Sequence, residues 1–209
     1  ISTSFSQSID DVSVASIEKN ISSKIGMMTL NDIDPTGTDP FVFRDIYPEI
    51  EEVPNGTMVS IPSFEIIPIF NSFSFDDFAS ANFSQGLLEL TIENSMVIPI
   101  GAPLVIELLE VILGDTTNIP GAFLQFDTII DANNGNATGN IDLTNVSLPG
   151  EILVKVSGNC QGTSGVPIFI DEQAKNSGFV VFIGGSGLEV SEANAKIPQQ
   201  SIEENGTIS

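Results

Sequence analysis

The segment NDIDPTGTDP places Asp32, Asp34, Thr36 and Asp39 around Gly37. Calcium takes about six to eight oxygen ligands, and alternate carboxylates in a glycine-bearing loop are a usual way to supply them. The competing reading is an Asp-rich turn held by its own side-chain to backbone hydrogen bonds. A second and poorer candidate is DANNGNATGNID, with Asp131, Asn133, Asn136 and Asp142, although a hairpin loop calls for Asn and Gly in any case. Calcium is the one cofactor these residues suggest.

Other chemistries lack their parts. The chain has no His and a single Cys, so neither a Ser-His-Asp or Cys-His device nor a Cys/His zinc site can be assembled. No G-x-S-x-G, G-x-x-x-x-G-K or G-x-G-x-x-G is present, and GGSG at Gly184 to Gly187 reads as a turn or bulge. A carboxylate pair can run glycoside hydrolysis, but with no Trp and one Tyr the aromatic platforms such sites offer to sugar rings are scarce. The doublets Glu51-Glu52, Asp76-Asp77 and Glu203-Glu204 read as solvated surface. The expectation is a protein that is not an enzyme, with a carboxylate hydrolase as a distant alternative. Cys160 reads as a plain unpaired residue. Six N-x-S/T sequons, at Asn20, Asn55, Asn82, Asn136, Asn145 and Asn205, are candidate glycosylation sites.

Charge narrows the partners. Acidic residues number 28 against 6 basic ones, a formal net charge of -22, which repels nucleic acid phosphates and anionic lipid. The most apolar stretch, GLLELTIENSMVIPIGAPLVIELLEVIL, carries four glutamates and two prolines. A span needs about 20 apolar residues, and one central carboxylate costs about 2.5–3.5 kcal/mol, so no membrane span is expected. The chain begins at Ile1 with no basic, apolar leader following, as a processed chain or a fragment of a longer one would.

The elements that must position these residues are mostly strands. Leu88, Leu90 and Ile92 alternate with Glu89, Thr91 and Glu93, which gives a strand buried on one face. The β-branched Val105, Ile106, Val111 and Ile112 favour a second strand over a helix in PLVIELLEVIL. AFLQFDTII, EILVKVSG, VPIFI, GFVVFIGG and GLEVSEANAKI extend the pattern between turn clusters. Nine or ten strands predict an all-β antiparallel sandwich, immunoglobulin-like or jelly-roll-like. Pro62, Pro68 and Pro167 belong at strand starts or edges. Val14, Ile17, Ile21, Ile25 and Met28 recur at helical spacing and predict a short N-terminal helix. Residues 1–56 then read as an arm with a Pro-rich connection and 57–209 as the sandwich, whose last strand is free to pair with a neighbour. Ile197-Pro198 echoes Ile61-Pro62, which reads as coincidence between two strand entries.

Two local resemblances add to this. Asp32-x-Asp34-x-x-Gly37 resembles the opening of EF-hand-like calcium loops, with Phe43 where their twelfth residue is a bidentate Glu. Residues 86–108, with Asn94, Pro99 and Ile100 between alternating strands, resemble the water-stress, late-embryogenesis-abundant type of immunoglobulin-like sandwich; that family's Asn-Pro-Asn is Asn94-Ser95-Met96 here. The resemblance implies a sandwich without catalytic residues. Together these features predict an extracellular or cell-surface structural sandwich that works by assembly or adhesion, through self-association or neighbouring domains. The alternative is a ligand-binding module for glycan or an apolar small molecule, with the phenylalanines of FNSFSFDDFASANF lining its pocket.

Overall fold

The computed structural model describes residues 28–195. Thirteen strands lie in it: β1 Met28–Thr29, β2 Ile33–Gly37, β3 Phe41–Val42, β4 Thr57–Val59, β5 Phe64–Ser74, β6 Phe78–Asn94, β7 Leu104–Ile112, β8 Asp115–Phe126, β9 Gly135–Asp142, β10 Ser147–Pro149, β11 Glu151–Cys160, β12 Ile168–Ile170 and β13 Gly178–Ala195. Two short helices, α1 Phe43–Ile46 and α2 Glu172–Asn176, and a 3-10 helix at Pro48–Glu52 complete it.

Alternation explains why the long strands stack into two layers. In β6, Leu88, Leu90 and Ile92 are fully buried while Glu89 and Glu93 are exposed; in β11, Ile152, Val154 and Val156 point inward. The first sheet places β1, β2 and β3 along one side of β13, then β6, then β9 and β10. The second runs β5, β11, β7, β8. Every pairing is antiparallel. The pairs nest: β1 to β3 with β13, β5 with β11, β6 with β9 and β10, and β7 with β8. A hairpin rolled up in this way is a jelly roll, two four-wide sheets closed over one core. Of the two sandwiches the strand pattern allowed, this is the order observed. β4 and β12 form a separate two-stranded sheet.

Prolines sit where no ladder donor is needed. Pro68 lies in β5 and Pro120 in β8, the two edges of the second sheet; Pro62 and Pro167 precede β5 and β12. The Gly184–Gly187 run lies inside β13, where the register with β6 shifts after Ser186, so it is a bulge.

The N-terminal region differs from the expected arm. The predicted helix over Val14 to Met28 lies outside the described residues except for Met28, which opens β1. Residues 28–56 are not a connection: they supply three edge strands and bury Phe41, Phe43, Ile46 and Ile50 in the common core. Phe41 stacks on Phe179 of β13 with ring centroids 4.9 Å apart. Four prolines in this stretch break strand and helix periodicity, which is why so much buried structure reads as linker. The proposed echo at Ile197-Pro198 and the final strand fall outside the described residues.

Candidate interaction surfaces

The sequence-predicted calcium loops do not converge. Asp32 Oδ1 accepts from Gly187 N–H at 3.0 Å, and Ile33–Gly37 of that segment is extended as β2. The Thr36 hydroxyl donates to the Asp34 carbonyl at 3.2 Å, and Asp39 lies beyond the strand, its carbonyl accepting from the Thr38 hydroxyl and the Asn71 amide. In the second segment Asn133 (φ 54) makes the turn, while Asn136 and Asp142 stand in β9, near its start and at its end. The Asp142 carboxyl is held below the usual carboxylate range by the Thr144 hydroxyl and backbone N–H, at 2.6 and 2.8 Å. Among the described residues no group of three or more Cys, Asp or Glu is arranged to hold a metal.

Of the sequons, Asn55, Asn82, Asn136 and Asn145 are exposed; Asn20 and Asn205 lie outside the described residues. Cys160 is buried, its thiol donates to the Pro99 carbonyl at 3.1 Å, and burial pushes its pKa up. That is an unreactive packing residue.

The three described cations are all compensated. Lys175, only 4% exposed, donates to the Val53 carbonyl at 2.7 Å and the Glu51 carbonyl at 3.4 Å, tying α2 to the end of the 3-10 helix. Lys155 of β11 pairs with Glu107 of β7. Arg44 contacts Glu51 at 3.0 Å and Glu172 at 2.7 Å. Glu172 also accepts from Asn55 and Asn176. Arg44 first, then these amides, holds the Glu172 carboxyl below its ordinary value of 4.5. A depressed carboxylate stabilises the fold above its unfolded pKa, and the contribution is lost as pH falls through the folded one. In acid titrations followed by urea unfolding, Glu172→Gln is therefore expected to lose less stability than wild type as pH drops below about 4.5; identical acid limbs would show that the network contributes nothing.

Three surfaces remain with apolar character. At one end of the sandwich a groove of about 560 Å³ lies among β4, β12, α2 and the β6–β7 turn, lined by Met58, Val97, Pro167, Ile168 and Phe169. Asn94 holds the adjoining β6–β7 turn: fully buried, it donates to the Ile98 and Asp131 carbonyls at 3.1 and 2.9 Å and accepts from Met96 N–H at 3.1 Å. At the other end the β7–β8 hairpin carries exposed Val111, Ile112 and Leu113, turning on Leu113 and Gly114 with positive φ. Between them, the outer face of the second sheet exposes Ile67, Phe70 and Phe123. The outer face of the first sheet instead carries Glu89, Glu93, Asn136, Thr138, Asn140 and Asp142. None of the three apolar surfaces is a feature that motif reading finds, because an outward apolar residue on a strand looks in sequence like a second buried face.

No family model and no curated protein matches the chain. Among solved structures, a chain from the structure of infectious bursal disease virus Gx strain aligns with 94% of this chain and 49% of its own length, at 12% identity and a TM-score of 0.22. The chain thus spans about half the length of that one. A superposition so loose says nothing of a shared role.

Proposed function

We propose that this chain is a non-enzymatic structural β-sandwich that works outside the cell or at its surface by associating with copies of itself or with neighbouring domains. The observation that carries this reading is the asymmetry of its two outer faces. One is acidic and polar, with Leu87 beside Asp142 as its exposed apolar residue on β6. The other exposes Ile67 (72%), Phe70 (49%) and Phe123 (61%) and keeps its one Lys/Glu couple internally neutralised. Exposed aromatic and aliphatic clusters of that kind mark interaction sites on soluble proteins. With no His, no Ser-His or Cys-His pair can be assembled, which is consistent with a role that needs no chemistry.

Light scattering coupled to size exclusion, in calcium and in EDTA, with the same fractions viewed by negative stain, tests it. The expected mass rises above that of the 22.2 kDa chain as concentration increases. A strictly monomeric species at every concentration, with no extended particles, overturns the reading.

The 560 Å³ groove supports a second reading, a ligand-binding module, because its volume falls within the range of small-molecule sites. A fluorescent apolar probe such as anilinonaphthalene sulfonate tests that reading. Saturable binding abolished by Phe169→Asp supports it, and no binding rejects it.

A further inference from the structure

The outer face of the second sheet is self-complementary, and we infer that two copies of this chain pack face to face through it, about a two-fold axis parallel to the strands between β11 and β7. This inference rests on the self-association proposed above and names its surface.

The register fixes the pattern. Lys155 lies opposite Phe70 on one side and Glu107 on the other, and Glu107 lies opposite Phe123. One row across the four strands therefore reads Phe70, Lys155, Glu107, Phe123. The neighbouring row reads Ser72, Leu153, Leu109, Asn118, but the β7–β8 register shifts between the two rows and Leu109 is only 3% exposed, so the first row carries the contact. Turning a second copy about the stated axis lays each row on its own reverse. Lys155 then faces the partner's Glu107 and Phe70 faces the partner's Phe123. A two-fold axis across the strands would instead set like charges on each other. Self-complementarity of one patch is what a two-fold contact requires.

Size and charge agree. Four strands about 4.8 Å apart and about nine residues long present roughly 19 by 30 Å, so about 1,100 Å² is covered on the two copies together, above the ~1,000 Å² a specific interface needs. Two bodies of net charge -22 repel, and the exposed Glu65 and Glu151 at the margins of this face add to that, while the central row contributes no net charge. Two sheets packed in this way lie about 10 Å apart, each presenting aromatic anchors at its edge strands.

Sedimentation equilibrium of the full chain at 0.1 M and 1 M NaCl tests the inference. Salt shortens the screening length from about 10 to about 3 Å, so the dimer is expected to tighten as salt rises. Phe123→Asp and Lys155→Glu should each raise the dimer dissociation constant about 30-fold or more. The double variant Lys155→Glu with Glu107→Lys should return it to within a few-fold of wild type, because the row stays self-complementary. Urea midpoints close to wild type identify variants that are folded. Assembly of the wild type that neither single variant weakens, or a double variant as weak as the singles, overturns this face while leaving self-association standing. A wild type monomeric under all conditions removes both. If that monomer floats with phosphatidylcholine vesicles and Phe123→Asp does not, the face belongs to a lipid surface and the dimer is wrong.

Discussion

Asn94→Leu is expected to destabilise the protein by about 3–5 kcal/mol, because a buried group left without its hydrogen-bond partner costs about 1–3 kcal/mol and two are left so at once, with the part-buried Asp131 carbonyl besides. Leucine nearly matches asparagine in shape, so the change isolates polarity from packing. Asn94 ends β6 with its side chain fully buried. Its amide nitrogen serves the carbonyls of Ile98 and Asp131, and its oxygen takes the Met96 N–H. The two carbonyls belong to different connections, β6–β7 and β8–β9, so one side chain ties together the turns at that end of the sandwich. Asn94→Asp is no remedy, since it keeps the acceptor for Met96 but points a carboxylate oxygen at two carbonyls. In urea titrations the midpoint should fall with the slope unchanged. A loss under about 1 kcal/mol would mean that the backbone bonds from Ser95 to Gly178, Asn133 to Met96 and Asn134 to Asn94 hold the turn alone.

What the sequence reveals follows the strength of its periodicity. Leu88, Leu90 and Ile92 announce a half-buried strand because a period of two survives over many residues. In β7 the pattern is ambiguous, since Leu104, Leu108 and Val111 also fit a helix; β-branching favours the strand, and Leu104, Ile106 and Leu108 are buried in it. β1 and β3 have two residues each and β2 has five, too few to set up alternation, so residues 28–56 read as connection. Their one usable signal was Phe43, Ile46 and Ile50, spaced three and four apart, which marks the buried side of α1 and the 3-10 helix.

The candidate sites were less legible than the fold for a different reason. Asp32, Asp34, Thr36 and Asp39 suggest an ion site only if the chain curls around Gly37, and pairing of β2 with β13 keeps it extended. The row Phe70, Lys155, Glu107, Phe123 is assembled from four strands up to 85 residues apart in the chain, so no local motif contains it. It exists only through register, and one-residue slips would dissolve it.

The same distinction between inward and outward residues decides what the phenylalanines do. Phe78→Ala is expected to cost about 3–5 kcal/mol, the range for deleting a buried aromatic ring. Phe78 is 1% exposed where β6 begins, stacked on Phe75 at 4.9 Å and edge-on to Phe83 at 5.8 Å; Phe73 meets Phe75 at 5.1 Å. These rings, which in sequence also read as the walls of a ligand pocket, fill one another's space. The contrast is Phe123→Ala, which removes the same ring from a site 61% exposed and should change monomer stability by only about 0.5 kcal/mol or less. Urea unfolding of the two variants measures both. A large loss at Phe78 with almost none at Phe123 separates a residue that holds the sandwich together from one whose ring is turned outward, towards whatever the sandwich meets. Near-neutral behaviour at Phe78 would mean that the Phe73, Phe75 and Phe83 rings collapse into the space it leaves, a loosely packed cluster that would restore the pocket reading.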